Sequence, residues 1–212
     1  MACRVNRLPL RYFATAAHQQ QTSLDLWNNL SSFYYKFGDV MYEKVSQTEH
    51  AIQSATLAYN ESGDATLSIG AFLHDIGHLI EYELKGADPF ISIDRKHEQI
   101  GYDYMLHELG IKNEKILHST LYHVDAKRYL CFVDSTYYDG LSECSKQTLI
   151  LQGGPFSEAE AKQFEQIPFY QEAVLVRKCD DEAKMLDPQI PIMSMDEVKQ
   201  MFLSIDINEL VS

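Results

Sequence analysis

The string FLHDIGH, Phe72 to His78, constrains this chain more than any other stretch. It sets His74 beside Asp75, with His78 one turn on, in a run whose apolar positions Leu67, Ala71, Phe72, Ile76, Leu79 and Ile80 recur at helical spacing. Asp64, just ahead of the run, can cap it. An imidazole and a carboxylate in such a run are expensive to bury, and a shared metal ion compensates both at once. A nitrogen and oxygen donor set suits zinc, iron or manganese better than a soft, sulfur-preferring ion. A lone His-Asp pair also reads as a capping or surface pair, so the other histidines decide between the two.

The chain has 8 histidines. His50 lies in TEHAIQSA, His97 in RKHEQIGYDYM, and His118 and His123 in LHSTLYHVDAKRYL, all helix-like. So many carriers on successive helices favour a cluster. His118 and His123 do not both fit as ligands, because five residues on a helix turn the side chain by roughly 140°; one of the two is structural. His107, beside Glu108, reads as exposed, and His18 belongs to the N-terminal tail.

Helix signals dominate after residue 22. The periodicity predicts helices over about 22–36, 47–60, 65–82, 95–109, 112–125, 142–152, 158–166, 168–179 and 195–204, with loops at 83–94 and 126–141. Ser157 with Glu160 and Ser194 with Glu197 form capping boxes, and Gly153, Gly154 and Pro155 end the helix before the first of them. Sustained period-two alternation is absent, which predicts an all-α domain.

With 212 residues and 45% hydrophobic content, one domain with a real core is expected. The formal charge of -13 argues against nucleic acid or an anionic membrane as the main partner. An anionic substrate must then be met by a local basic pocket. Cys3, Cys131, Cys144 and Cys179 show no metal-ribbon spacing and read as reduced thiols of an intracellular protein. No apolar stretch reaches the roughly 20 residues that cross a bilayer. Residues 1–21 carry Arg4, Arg7 and Arg11 and no acid, the first acidic residue being Asp25. The segment reads as a mitochondrial transit peptide with RYFA as processing site, or equally as a disordered tail. Either way 22–212 is the expected domain, and the location is cytoplasmic or mitochondrial. No residue pattern assigns an oligomeric state.

His50, His74 with Asp75, and the distant Asp180 in RKCDD together resemble the H…HD…D pattern of the HD-domain superfamily, an all-α metalloprotein fold. His97 and His123 match the subset with two metals. HVDAKRYL, SECSKQT, LQGGP and VRKCDDEAK, between His123 and Lys184, are similar to the PhnZ-type phosphonate oxygenases, and the resemblance runs from about 40 to 187.

The resemblance implies a helical bundle with a dinuclear centre of two iron ions, mixed-valent Fe(II)/Fe(III), using O2 as co-substrate. One iron would be held by His50, His74, Asp75 and Asp180, the other by Asp75, His97 and His123. His78, Lys127, Ser145, Thr148 and Arg177 match positions that bind the phosphonate, and Glu43 matches the acid that meets a substrate ammonium. A phosphonate dianion wants Lys, Arg and hydroxyl donors, and an ammonium wants a carboxylate. Beside these roles, Lys127 also reads as a cation answering a helix end, Arg177 as a solvated ion pair, Ser145 and Thr148 as solvent-facing, and Asp181 as the uninvolved neighbour of Asp180.

The implied activity is oxidative cleavage of the carbon–phosphorus bond in a small α-hydroxyalkylphosphonate of the 2-amino- or 2-trimethylammonio-1-hydroxyethyl type. The products are phosphate and glycine or a methylated glycine. The alternative is a metal-dependent phosphohydrolase acting on a nucleotide or other phosphate ester. In the family a tyrosine three residues before the glutamate can occupy an iron site. Here Val40 stands there, with Tyr42 displaced by two, so the loop has slipped or the gate is absent.

Overall fold

The computed structural model describes residues 10–86 and 96–211. A long helix α1, Leu10–Phe37, leads into a minimal antiparallel hairpin, β1 Met41–Tyr42 and β2 Val45–Ser46, and then α2, Gln47–Ser62. Helices α3, Ala65–Leu73, and α4, Ile76–Lys85, follow, then α5, His97–Asp103, which runs into a π-turn at Tyr104–Glu108. Next come α6, Glu114–Val133, a single turn α7, Tyr137–Gly140, α8, Glu143–Leu151, α9, Glu158–Phe164, and α10, Tyr170–Glu182. Helices α11, Met195–Ser204, and α12, Ile207–Val211, close the chain. The all-α expectation holds.

Caps fall where side chains can supply them. Asp64 accepts from the backbone of Thr66 and Leu67, and the boxes at Ser157/Glu160 and Ser194/Glu197 are both formed. A third box, Ser46/Glu49, starts α2. Helix α1 begins ahead of the expected residue 22, since neither Gly nor Pro stands between residues 10 and 37. The segment read as a transit peptide or tail lies partly outside the described residues.

Two expectations fail. The helix expected at 65–82 is broken at the His-Asp pair: His74 keeps helical angles, but Asp75 sits at φ −102°, ψ 10°, and a new helix starts behind it. On an unbroken helix adjacent side chains diverge by about 100°; the break lets both face one centre. The loop expected at 126–141 is helical to Val133, because Asp125 to Val133 holds no Gly or Pro to stop α6. Lys127 is therefore not a helix-end cation but lies one turn beyond His123 on the same helix.

The core forms where α1, α3, the π-turn and α11 meet. Trp27 stacks on Phe72 with ring centroids 5.8 Å apart and meets Phe202 at 5.6 Å. The Tyr34 hydroxyl donates to the Phe72 carbonyl at 2.6 Å. Phe72, Ile69, Met105, Ile116 and Phe202 are fully buried around this stack. The apolar face of α3 is thus anchored on one side, while α2, α6 and α10 pack around its polar end. At Gly77 a Cβ would meet the carbonyl oxygen of His97 at 1.9 Å, so only glycine allows α5 to come close enough to set His97 near Asp75. Among the described residues no helix is long and apolar enough to cross a membrane.

Candidate metal centre

Six buried side chains from five elements converge. His50 comes from the middle of α2, His74 and Asp75 from the break between α3 and α4, His97 from the first turn of α5, His123 from α6, and Asp180 from the end of α10. They fall into two groups that could each hold an ion: His50, His74 and Asp180; and Asp75, His97 and His123.

Asp75 reaches both. Its Oδ2 lies 3.6 Å from His50 Nε2 and 3.5 Å from His74 Nε2, and its Oδ1 lies 3.3 Å from His97 Nε2 and 3.4 Å from His123 Nε2. In the first group His50 Nε2 is 3.3 Å from Asp180 Oδ1 and 3.3 Å from His74 Nε2. In the second, His97 Nε2 and His123 Nε2 are 3.0 Å apart.

The opposite ring nitrogens say what these atoms do. His50 Nδ1 bonds the Ala183 carbonyl, His74 Nδ1 that of Ala71, and His123 Nδ1 that of Thr120, each at 2.7 Å. A carbonyl only accepts, so each Nδ1 carries a proton and each neutral imidazole turns a bare lone pair inward. Two lone pairs at 3.3 Å, beside carboxylate oxygens, repel unless a cation lies between them. Asp75 Oδ2 and Asp180 Oδ1, both aimed into the first group, have no hydrogen-bond partner although buried. The donor set and its orphaned oxygens fit two divalent or trivalent cations sharing a carboxylate.

Charges follow the same logic. With no cation between the rings, burial works against a charged His74, yet Asp75 first and then Asp180 outweigh it and hold its pKa up at about 9, so a proton on Nε2 takes the place that a metal ion would claim from the neutral ring. Burial also opposes ionised Asp180, but Arg177, then His50, His74 and Lys184, keep its carboxyl well below the usual range. Burial, then His97, pushes His78 down to about 3, so its ring is neutral, stacked on His97 at 4.0 Å.

The other expected residues form two clusters. On one side Lys127 Nζ donates to Thr148 Oγ1 at 2.9 Å, and Arg177 Nη2 reaches Ser145 Oγ at 3.5 Å. Arg177 Nη1 also donates to Asp180 Oδ2 at 2.5 Å, which leaves Asp180 Oδ1 for the first group. Lys127, Ser145 and Arg177 are buried, and Thr148 is half-buried; neither cation is a solvated surface charge. On the other side Glu43 Oε1 accepts from Ser142 Oγ at 2.9 Å and lies 3.1 Å from Lys184 Nζ.

His118 is the structural one of its pair, with Nδ1 donating to the Pro168 carbonyl at 2.9 Å. His107 is exposed, as its neighbours imply. Several participants had no sequence signal of their own. Asp181, taken as uninvolved, pairs with Arg177 through both oxygens, and the hydroxyl of the half-buried Tyr137 bridges the two. Glu98 Oε2 lies 3.5 Å from His97 Nδ1. Val40 stands just before the hairpin, its carbonyl accepting from the Gln47 amide, and the aromatic ring near the centre is Tyr42, tilted against His50 with ring centroids 4.4 Å apart. Burial, then Asp180 and Asp75, holds the Tyr42 phenol protonated, far above its ordinary pKa.

An HD domain family model matches residues 48–182. A hydroxymethylphosphonate dioxygenase of Gimesia maris is 39% identical over 70% of this chain and 73% of its own length. The [1-hydroxy-2-(trimethylamino)ethyl]phosphonate dioxygenase (glycine-betaine-forming) of Leisingera caerulea is 34% identical over 76% of this chain and 82% of its own. An uncharacterized protein of Acanthamoeba polyphaga mimivirus is 35% identical over 77% and 74%.

Proposed function

This chain belongs to the HD domain family, in its PhnZ-type branch, and from that membership we propose that it is an oxygenase cleaving the carbon–phosphorus bond of a small α-hydroxyalkylphosphonate. The observation that carries the reading is the split of Asp75, one oxygen toward each histidine group, which suits a pair of ions bridged by one carboxylate. We assign two irons to these groups in a mixed-valent Fe(II)/Fe(III) state. His50, His74, Asp75 and Asp180 would hold one, and Asp75, His97 and His123 the other. When bound, the pair supplies dioxygen binding and one-electron chemistry that no side chain here can provide.

The rest is the chain's own work. Lys127 and Arg177, with Ser145 and Thr148, supply cationic and hydroxyl donors for the phosphonate oxygens on the α8 side. His78, neutral beside His97, can donate a hydrogen bond without adding charge. Tyr42, lying against His50, covers the first group from the hairpin side. The reaction consumes one O2, breaks the carbon–phosphorus bond, and leaves phosphate and a carboxylate.

Anaerobically prepared, iron-loaded protein should release phosphate from hydroxyalkylphosphonates only after O2 is admitted, and not from nucleotide or sugar phosphate esters. Release from the esters without O2 would mark a phosphohydrolase, which uses an equivalent ligand set to activate water.

A further inference from the structure

The glycine turn in LQGGP, Leu151 to Pro155, closes around a cation of α6 that is not among the phosphonate donors. Lys127 and Arg128 are neighbours on α6, where adjacent side chains diverge by about 100°. Lys127 turns inward to Thr148, whereas Arg128 reaches the turn that ends α8. Its Nε donates to the Gly154 carbonyl at 2.8 Å and its Nη2 to Glu160 Oε1 at 2.9 Å. The guanidinium carbon lies 4.5 Å from the centroid of the Phe156 ring, and the Arg128 carbonyl accepts from the Phe156 amide at 3.1 Å.

The two glycines make this approach possible. Gly153 sits at φ 100° and Gly154 at φ 75°, and a Cβ on Gly153 would come within 3.2 Å of Arg128 Nη2. The turn is closed onto α8: the Gly154 amide donates to the Leu149 carbonyl at 2.8 Å, and the Gln152 amide to that of Thr148 at 2.9 Å. What holds Gly154 therefore holds the last turn of α8, where Thr148 stands. On the far side Glu160 Oε2 serves the capping box of α9, accepting from the Ser157 amide at 2.7 Å. With the Glu160 side chain 42% exposed, the ion pair by itself adds little stability. A planar guanidinium met by a carbonyl, a carboxylate and a ring instead fixes a position.

We propose that Arg128 is a positioning residue for the C–P cleavage inferred above, on which this proposal rests. By latching the LQGGP turn to α6 it sets the Thr148 hydroxyl, and α8 with it, at the spacing from Lys127 that the phosphonate oxygens require. Its guanidinium faces the turn and α9, so it acts on the substrate through Thr148. Two neighbours on one helix thus divide the work: Lys127 meets the anion, and Arg128 holds the wall that completes its pocket.

The test measures kcat and KM of the iron-loaded protein in air on hydroxymethylphosphonate and on [1-hydroxy-2-(trimethylamino)ethyl]phosphonate. On whichever compound the wild type turns over, Arg128→Ala should raise KM by about tenfold with kcat within about twofold and iron content unchanged. A loss of folding alone would lower the active fraction, hence kcat, and leave KM where it was. Arg128→Lys, which reaches one partner at a time, should recover only part of the loss. The decisive step is a cycle: Thr148→Val should raise KM by about fivefold in the wild type and by less than about twofold in Arg128→Ala. An unchanged KM in Arg128→Ala overturns the proposal, as does a Thr148→Val effect of the same size in both backgrounds. Should Arg128→Ala not fold, Glu160→Gln, which breaks only the Arg128 contact, takes its place in the cycle with a KM rise of about threefold, and no rise overturns the proposal. Phosphate release from neither phosphonate removes the parent reading instead. The latch is then judged by equilibrium dialysis of radiolabelled inorganic phosphate, which Arg128→Ala should bind about tenfold more weakly, and equal binding overturns it.

Discussion

Around His50, His74 and Asp180 each side chain is tied from behind by a group with little freedom of its own: the Ala183 carbonyl, the Ala71 carbonyl, and the Arg177 guanidinium. Around His97 and His123 only His123 has such a backbone anchor. His97 stands in the first turn of α5 with Nδ1 3.5 Å from the neighbouring Glu98 carboxylate and its ring face against His78. The first group, with Asp75, offers four protein donors and the second three. His97 also keeps 8% of its exposure where His50 and His74 keep none. The difference teaches that the first half is organised by the fold, whereas the second is completed by what binds there. It predicts a tight ion in the first half and a looser one in the second.

The largest effect is expected at the residue the halves share. Asp75→Ala should drop metal content from about two ions per chain to near none, with activity, because it removes a donor from both groups at once. His123→Ala should remove mainly one ion and leave the first half filled. Elemental analysis after a single desalting step reads both; equal metal in the two variants would show that the halves are not distinct.

Arg177 tests whether the first half is held by the fold. Arg177→Ala leaves Asp180 buried beside an unpaired Asp181 and should cost about 3–5 kcal/mol in denaturant unfolding of the metal-free protein. The matching change on the second side, Glu98→Gln, should cost far less.

Lys127 sharpens the comparison by pH. Burial first, and Arg177 next, push its ammonium down to about 8. The side chain is cationic below that pH and neutral above it, so phosphonate affinity should be full on the acid side and fall as pH rises through about 8. Bound metal ions add positive charge and move this limb to lower pH. Lys127→Arg, always charged, should abolish the limb in a plot of KM against pH; a limb that survives the substitution belongs to another group. Removing the charge with Lys127→Ala should weaken binding by roughly 1.5–3 kcal/mol.

What was legible in the chain was local. The capping boxes at Ser157 and Ser194 need only a side chain and a backbone amide three residues apart, and the adjacency of His74 and Asp75 announces a shared centre. The motif strings pointed to the six residues that converge. What was illegible depends on distant partners. No spacing announces that the Ala183 carbonyl, 133 residues along, orients His50, or that Lys184 pairs with Glu43. The break at Asp75 was hidden for a related reason: the apolar periodicity on either side stays in phase, so only packing against α5 and α6 reveals two helices. Asp181 looked idle because its role is to hold Arg177, and Arg177 itself is read only through the pocket it faces.

The smallest expected effect sits on Glu98. Its Oε2 is buried without a hydrogen-bond partner, and its contact with His97 Nδ1 is longer than a hydrogen bond. A carboxylate behind a metal-binding imidazole raises the basicity of the ring, and its removal typically weakens metal affinity by about 10–100-fold. The 3.5 Å separation places Glu98→Gln at the lower end, about tenfold, confined to the second half. A chelator titration of the metal-loaded protein should show two phases, with only the weaker one moved by Glu98→Gln. If the tight phase moved with it, the two halves would be one cooperative unit and the contrast between them would be lost. If neither moved, the His97 ring would be set by its stacking on His78, and His78→Ala would then be the substitution that shifts the weak phase.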